Sequence, residues 1–208
     1  RTALRARLVQ GLGGTARDPE SAEKARELVL SELAKPGSVT PTLLNAAVPI
    51  AALGGDAALY EKYLERSRKA SAPEEHDRYM YALAGFSDPA LVRRTMEYVL
   101  GPEVRGQDAK LFLARMISNR DIRGLAWELT QSRWDEIQKK TGDSFGTGLI
   151  VGALGAFCDA TRLGEIQRFF QAHPVADAER PLTQTMERIS ECAARSETQG
   201  PKLVEWLN

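Results

Sequence analysis

The sequence predicts an all-α fold, and three observations support that prediction. A capping side chain precedes proline at Asp18-Pro19, Thr40-Pro41 and Asp88-Pro89, which is typical of helices whose first residue is proline. Between such starts, apolar residues recur at intervals of three and four, as they do along one face of a helix. Strict alternation of apolar and polar residues between turn residues, the pattern of a half-buried strand, is not found.

The same patterns predict about twelve helices in chain order. Their predicted ranges are 2–12, 20–34, 41–53, 57–69, 72–84, 89–100, 106–118, 122–139, 146–156, 159–172, 178–195 and 200–207. Pairs of helices recur roughly every 30–40 residues, a period found in helical-repeat proteins. We therefore expect residues 1–208 to form a single helical domain, an irregular superhelical solenoid of helical hairpins of the HEAT or armadillo kind. A compact helical bundle is the alternative.

Local signals justify individual helices and their buried faces. The glycines at 11–14 predict the end of the first helix, Asp56 predicts the start of 57–69, and Ser71 with Glu74 has capping-box spacing before 72–84. Trp127 and Trp134 are seven residues apart, so we expect both on one buried face of the helix 122–139. Further residues expected in the core are Leu59, Tyr63, Leu64, Tyr79, Met80, Leu83, Phe86, Leu91, Val92, Met96, Val99 and Leu100.

Composition and charge disfavour several classes of protein. The chain has 208 residues, with 28 Lys and Arg against 28 Asp and Glu, so it lacks the basic excess of a nucleic-acid-binding protein. No apolar run approaches the ~18 residues that a membrane-spanning helix needs. We therefore expect neither nucleic acid nor membrane as a partner. The opening residues, RTALRARLVQ, are neither a signal peptide nor a Met start, so we expect this chain to be part of a longer protein. The sequence does not decide the cellular compartment of that protein, and we favour the cytoplasm.

The residues that usually carry catalysis or bind metal are few and isolated. His76 and His173 are remote from each other, whereas a zinc site of the HExxH type needs two histidines four residues apart. Cys158 and Cys192 lie in apolar helical patterns, and we expect buried free thiols rather than a bridge. The sequence has no GxSxG nucleophile elbow. We therefore predict no catalytic residue, no metal ligand and no cofactor in this chain.

The run from Gly146 to Gly152 is similar to a dinucleotide-binding loop. Such a loop needs a preceding strand, whereas residues 137–143 read as a helix end and a turn. We expect Gly152 and Gly155 instead to let two helices pack closely.

The C-terminal half carries an ordered series of motifs. In chain order they are Leu125-Ala-Trp127, Trp134-Asp-Glu-Ile137, Gly142-Asp-Ser-Phe145, Phe157, Glu165-Ile-Gln-Arg-Phe-Phe170, His173-Pro174, Ala178-Glu-Arg180, Gln184, Glu187-Arg-Ile189 and Val204-Glu-Trp-Leu207. The series resembles the C-terminal helical domain of gluzincin zinc aminopeptidases, the family of aminopeptidase N and puromycin-sensitive aminopeptidase. Val104-Arg-Gly-Gln-Asp108 and the run 169–180 are most similar to the puromycin-sensitive branch. Residues 1–99 are similar in layout only.

The sequence departs from that family in three respects. Polar residues occupy 194–196, where an aromatic is common, and the loop 118–122 is short. The catalytic HExxH and GAMEN motifs are absent. The resemblance implies that the catalytic zinc lies in an upstream domain of the same polypeptide. It further implies that this chain is a non-catalytic domain that caps the active site, shapes the peptide chamber and has the upstream domain and a peptide substrate as partners.

The resemblance also points to one candidate substrate-binding site, at the loop before the helix 122–139. This loop faces the catalytic chamber in the family, and the puromycin-sensitive branch has a basic residue at the position of Arg123. A helix N-terminus favours anions, and an arginine fork matches a carboxylate. We expect Arg123, with Arg120 and Asn119, to hold the C-terminal part of a peptide. The alternative is that the arginines are solvated and pair with Asp121 or Glu128.

Two other functions stay open from the residues alone. The chain could be a stand-alone helical-repeat scaffold that binds another protein on a concave face. It could also be an independent enzyme, although no catalytic constellation supports this. The length of the natural gene separates the first alternative from an aminopeptidase domain, because an aminopeptidase needs an upstream HExxH motif.

Overall fold

The computed structural model describes residues 2–142, 146–175 and 178–207, and every regular element within these ranges is helical. Twelve α-helices follow one another: α1 (Thr2–Val9), α2 (Pro19–Ala34), α3 (Pro41–Leu53), α4 (Ala57–Lys69), α5 (Pro73–Ala82), α6 (Pro89–Leu100), α7 (Gly106–Ser118), α8 (Arg123–Ser132), α9 (Trp134–Thr141), α10 (Thr147–Leu154), α11 (Ala160–Ala172) and α12 (Glu179–Leu207). A π-helical segment, Gln10–Ala16, follows α1, and a 3₁₀ turn, Leu83–Gly85, follows α5. The all-α class is confirmed, while superhelical stacking stays a prediction.

Aspartate caps confirm three of the predicted helix starts. Asp18 Oδ2 accepts a hydrogen bond from the backbone N–H of residue 21 at 2.8 Å, ahead of α2. Asp56 Oδ1 accepts from residue 59 at 2.8 Å ahead of α4, and Asp88 Oδ1 from residue 91 at 3.2 Å ahead of α6. Each carboxylate satisfies an N–H group that the first helical turn leaves without a partner.

Two local predictions in the first hundred residues are wrong. The capping box of Ser71 and Glu74 does not form, because α5 begins at Pro73 and its N-cap is Ala72, which makes no side-chain cap bond. The glycines at 11–14 do not stop the first helix, which continues as the π-helical segment. Gly13 permits this course, since a Cβ there would lie 2.9 Å from Ile50 Cγ2 of α3.

The chain divides into two compact units, Arg1–Thr95 and Met96–Asn208, with the boundary inside α6. In the first unit, α3 packs against α1, α2 and α5. Its sequence, PTLLNAAVPIAAL, is apolar on nearly every side, as expected of a helix surrounded by others. In the second unit, α7 packs against α8, α9 and α10, and α12 packs against α10 and α11.

The core of the first unit contains four aromatic residues that we call the tyrosine cluster: Tyr60, Tyr63, Tyr79 and Phe86. Three of them, Tyr63, Tyr79 and Phe86, were predicted core residues, and Tyr60 was not. All four are almost fully buried. The ring of Tyr63 meets Tyr79 edge to face at 5.3 Å between centroids and Phe86 at 5.6 Å, while Tyr60 meets Phe86 at 5.1 Å. These edge-to-face pairs are worth about 0.5–1.5 kcal/mol each beyond the area that they bury.

The hydroxyls of the tyrosine cluster differ in their partners. Tyr63 Oη donates to the carbonyl of Val48 at 2.9 Å, and Tyr60 Oη lies 3.1 Å from Thr95 Oγ1. Tyr79 Oη is buried and has no hydrogen-bond partner within the described residues. Burial raises the pKa of all three phenols above the usual value, because the charged form loses its hydration.

Three of the predicted helices in the second unit have different boundaries. The range 122–139 is two helices, α8 and α9, separated at Arg133, whose guanidinium pairs with Glu97 and Glu136. The ranges 178–195 and 200–207 form one helix, α12, which runs through Gly200 and Pro201. Gly200 is not among the described glycines with positive φ, so it does not end the helix.

Cys158 and Cys192 form a disulfide bond, so the prediction of buried free thiols is wrong. Cys158 precedes α11 and Cys192 lies on α12, and the packing of α11 against α12 brings their Cα atoms to 5.0 Å although 34 residues separate them. Both residues are half-buried. Closing a loop of this length stabilises the folded state by about 3–4 kcal/mol in the chain-entropy description.

The prediction that Gly152 and Gly155 let two helices pack closely is confirmed for only one of the two glycines. Residues 147–154 are helix α10, and no strand stands before them in the described chain. A Cβ at Gly155 would lie 3.0 Å from Arg188 Cδ of α12, so close packing is confirmed there. Around Gly152 there is open space, so the same prediction is wrong for that residue.

Membrane spanning is not supported by the described helices. Even α12, the longest of them, is too polar to cross a bilayer, and the others are too short or too charged.

Candidate functional site

Two of the predicted site residues, Asn119 and Arg120, lie in the connection between α7 and α8, and Arg123 is the first residue of α8. Asn119 caps the C-terminus of α7, and its backbone N–H bonds to carbonyls in the last turn of that helix. Its side-chain Oδ1 accepts from the backbone N–H of Asp121 at 3.2 Å, and its carbonyl accepts from Ile122 at 3.2 Å. Ile122 is 4% exposed and anchors the end of the loop before α8 begins. The loop therefore has a defined turn with a buried end.

Arg123 is half-buried and directs its guanidinium at the ends of two helices. Nε donates to the carbonyl of Ile117 at 3.1 Å and Nη2 to that of Ser118 at 3.4 Å, both in the last turn of α7. Nη1 donates to the carbonyl of Ala156, just past α10. Burial lowers the pKa of Arg123, yet an arginine stays charged at neutral pH. Its charge thus caps two helix C-termini, where cations are favoured.

Arg120 has the opposite environment. It is exposed, and its Nε lies 3.7 Å from Asp121 Oδ1, a contact at the long limit for an ion pair. The pair Arg120–Asp121 is one of the two that we expected if the arginines of this loop were solvated. Glu128, the other acid in that reading, lies 3.7 Å from Arg162 of α11. Within the loop, Arg120 is therefore the cation that faces solvent.

Arg162 is a charged residue beside this loop that the sequence did not single out. The ring of Phe157 lies 5.6 Å from the guanidinium carbon of Arg123 and 5.8 Å from that of Arg162. Arg162 Nη1 pairs with Glu165 Oε2 at 2.7 Å, which raises the pKa of Arg162. Glu165 Oε1 in turn accepts from Trp127 Nε1 at 3.0 Å. The sequence signal that could have identified this ion pair is the spacing of three residues between Arg162 and Glu165, which places opposite charges side by side on a helix.

A second aromatic cluster supports this network, and we call it the tryptophan cluster: Trp127, Trp134, Phe169, Phe170 and His173. Trp127 is 0% and Trp134 is 5% exposed, which confirms that both are core residues. They lie on different helices, so the expectation of one shared helix is wrong. Trp127 meets Phe169 at 5.1 Å, Trp134 meets Phe169 at 5.4 Å, and the ring of His173 stacks on Phe169 at 4.4 Å.

A groove of about 240 Å³ lies between α11 and α12, next to the tryptophan cluster. Its walls are Gln167, Phe170, Gln171, Leu182, Thr183 and Met186. This volume is below the ~300–1,000 Å³ of typical small-molecule sites. The groove brings together amide, hydroxyl and apolar groups and no charged group, an arrangement without a general acid or base.

The residues that the structure describes do not form a zinc site. Among the described residues, no three His, Cys, Asp or Glu side chains are grouped as metal ligands. His76 Nδ1 lies 3.0 Å from Asp77 Oδ1 at the start of α5, and His173 Nδ1 lies 2.9 Å from the carbonyl of Phe169. The two cysteines are bonded to each other. Part of the resemblance motif, residues 143–145, lies outside the described residues.

The comparisons with known proteins agree with the motif series. Residues 1–191 match the protein-family model described as "ERAP1-like C-terminal domain". Aminopeptidase M1 of Arabidopsis thaliana is 28% identical over 135 residues, which are 62% of this chain and 15% of that protein. Glutamyl aminopeptidase of Mus musculus is 27% identical over 157 residues, 74% of this chain and 15% of that protein.

An archaeal relative shows the same relation. Probable aminopeptidase 1 of Saccharolobus solfataricus is 23% identical over 134 residues, 62% of this chain and 17% of that protein. The chain thus spans less than a fifth of the length of the curated relatives it matches, and it aligns with their C-terminal part.

Proposed function

This chain belongs to the family of ERAP1-like C-terminal domains, and from that membership we propose that it is the non-catalytic C-terminal domain of a zinc-dependent aminopeptidase. The parent enzyme would remove N-terminal residues from peptides. The observation that carries the proposal is the match over residues 1–191, together with relatives named as aminopeptidases that align through their C-terminal part. In this proposal the zinc is held upstream, in the catalytic domain of the same polypeptide.

The proposed role of residues 1–208 is architectural. As one helical domain composed of the two compact units, they cap the active site and shape the chamber that receives the peptide. A chamber of this kind restricts which substrates enter, and it orients the bound peptide, which lowers the entropy cost of reaching the reacting geometry. An all-helical architecture suits this task because rigid helices hold a surface in place without taking part in the chemistry.

We assign the three loop residues different parts in peptide binding. Arg120 is the residue proposed to contact the C-terminal portion of the peptide, since its guanidinium is exposed and can exchange Asp121 for a peptide carboxylate. Arg123 is a positioning residue, because its hydrogen bonds to Ile117, Ser118 and Ala156 hold the loop. Asn119 fixes the turn that presents Arg120.

The disulfide bond favours an oxidising compartment for the parent protein over the cytoplasm. Disulfide bonds persist in secreted, periplasmic and lumenal proteins and are rare where glutathione and thioredoxin keep thiols reduced. The pair Cys158 and Cys192 is half-buried, so cytosolic reductants could reach it.

The full-length natural polypeptide tests the proposed activity. It should release N-terminal residues from peptides, lose that activity when zinc is chelated, and regain it when zinc is restored. Absence of hydrolysis by the zinc-loaded full-length protein would overturn the proposal and favour a helical scaffold for protein binding.

The loop assignment is tested in the same full-length protein with two substrates. Arg120→Ala should raise the KM for a peptide of about ten residues roughly tenfold, since a charge-assisted hydrogen bond contributes about 1.5–3 kcal/mol. It should leave kcat, and all constants for a single-residue chromogenic substrate, unchanged, while Arg120→Lys restores part of the loss. The matched control is Arg93→Ala, at an exposed arginine of α6. Equal effects on both substrates, or none on either, would show that Arg120 takes no part in peptide binding.

A further inference from the structure

Helix α1 has apolar residues on two opposite sides, and only one side is covered. On the inner side, Ala6 is 8% exposed, and Gly13 of the π-helical segment contacts Ile50 of α3. On the outer side, Leu4, Leu8 and Leu12 are 63%, 55% and 49% exposed. We call these three leucines the outer leucine stripe.

Helix geometry separates the two sides. Each residue advances by about 100° around the axis, so Leu4 and Leu8 lie within about 40° of each other, while Ala6 lies far from both. Leu4 and Leu8 therefore form a ridge of the kind used in helix-to-helix packing, and Leu12 follows them in the π-helical segment. Arg5 and Arg7 are also exposed, and the same geometry places one on each side of the stripe. The stripe therefore has an apolar centre and positively charged margins.

An exposed apolar stripe of this kind is unusual on a surface helix of a complete folded protein. Surface helices have one apolar face and one polar face, and helices that are apolar on both sides lie between two layers. Leucines exposed singly are ordinary, but here two lie on one face of α1 and a third lies in the π-helical segment that continues it. The stripe is thus the expected contact surface of a further layer of helices.

We propose that the outer leucine stripe is covered by an amphipathic helix from the segment that directly precedes residue 1 in the full-length protein. The partner helix contributes apolar residues at intervals of three and four, flanked by acidic residues that meet Arg5 and Arg7. This inference rests on the proposed function, because it requires that the chain is the C-terminal part of a longer protein.

Two observations select this occupant over others. The relatives extend far upstream of the matched region, since the chain accounts for only 15% of aminopeptidase M1 and 17% of the archaeal relative. Connections between consecutive helices are short, commonly about 2–8 residues, and consecutive elements usually pack side by side. A helix that enters α1 through such a connection lies within reach of α1 itself. It therefore reaches the stripe at a lower loop-closure cost than any distant segment.

The test uses the full-length protein with single cysteines, read by peptide mass spectrometry after brief maleimide labelling. Leu8→Cys should react at least tenfold more slowly than Lys35→Cys, an exposed polar position of the same unit. Denatured protein gives the unprotected rate of each thiol. Equal rates for the two variants in the folded protein would overturn the proposal, because the stripe would then be open to solvent.

Photo-crosslinking identifies what covers the stripe. With p-benzoylphenylalanine in place of Leu8, and separately of Leu4, crosslinks should fall within the ~40 residues that precede residue 1, the length of one helical hairpin. Crosslinks to a distant part of the polypeptide, to a second copy of the protein, or to nothing at all would each overturn the proposal. Peptidase activity reports on the proposed function separately, so a fully active protein with an uncovered stripe would refute only this inference.

Discussion

The two units each bury an aromatic cluster, and the clusters are held together in different ways. The ring contacts of the tyrosine cluster join α4 with α5 and with Phe86, which follows the 3₁₀ turn, across fewer than thirty residues. Its hydroxyls add hydrogen bonds to Val48 of α3 and Thr95 of α6. The tryptophan cluster joins α8 and α9 to α11, across more than thirty residues of chain. Next to it, the disulfide bond ties α12 to the start of α11.

The difference shows that similar aromatic cores can rest on contacts of different range. Contacts between neighbouring helices form at a small cost in loop entropy, whereas distant contacts require long loops to close first. The second unit combines distant contacts with a covalent link that removes part of that entropy from the unfolded chain. We therefore expect the second unit to respond to perturbations of long-range links and the first to respond mainly to loss of burial and hydrogen bonds.

Removal of the central ring of the tryptophan cluster should have the largest effect. Trp127→Ala empties a fully buried site and should destabilise the second unit by about 3–5 kcal/mol. Hydrogen exchange followed by mass spectrometry should show the loss of protection in α8 and α11. Trp127→Phe, which keeps most of the ring volume but not the donor to Glu165, should cost less. Unchanged protection in the alanine variant would refute the role given to this cluster.

Loss of the covalent link should have the next largest effect. The double variant Cys158→Ser and Cys192→Ser should lose about 3–4 kcal/mol of stability in the second unit. Exchange protection should fall in α11 and α12 and stay unchanged in α4 and α5. Thiol counting on the unreduced, denatured wild-type chain should find no free thiol from this pair. Two free thiols there, or a double variant as stable as the wild type, would contradict the bond's proposed contribution.

The hydroxyls of the tyrosine cluster provide a matched series with the smallest effects. Tyr63→Phe and Tyr60→Phe each remove a buried hydrogen bond and should cost about 1 kcal/mol. Tyr79→Phe should be neutral or slightly stabilising, because its hydroxyl is buried and has no partner among the described residues. Chemical denaturation of the three variants gives the comparison. A loss at Tyr79→Phe as large as at Tyr63→Phe would reveal a bond that the structure does not show.

The sequence predicted well those elements whose signals are local. Aspartate or threonine followed by proline marks a helix start through backbone geometry and capping alone, and the starts of α2, α3 and α6 were predicted to within a residue. Periodic apolar residues likewise identified buried side chains such as Tyr63 and Met96. Both signals depend on residues within one or two helical turns, so they can be recognised in the sequence without knowledge of the fold.

Elements that depend on distant partners could not be predicted in this way. The break at Arg133 accompanies ion pairs with Glu97 and Glu136, and one of these partners lies 36 residues away. The pairing of Cys158 with Cys192 follows from the packing of α11 on α12. At the candidate site, the residue types indicated a cationic loop, but only the structure distinguishes the half-buried Arg123 from the exposed Arg120.

The continuity of α12 has a consequence for its last turns. No residue in 194–207 is buried, so this part gains little free energy from packing, and it contains Gly200 and Pro201. In a helix interior these residues cost about 1 and 3 kcal/mol relative to alanine, and isolated helices of this length are marginal in water. The helix–coil equilibrium of the segment therefore depends on whether an apolar surface takes up Trp206 and Leu203, which are 80% and 56% exposed. The affinity of residues 194–207 for such a surface would be reduced by the free energy needed to order this segment as a helix.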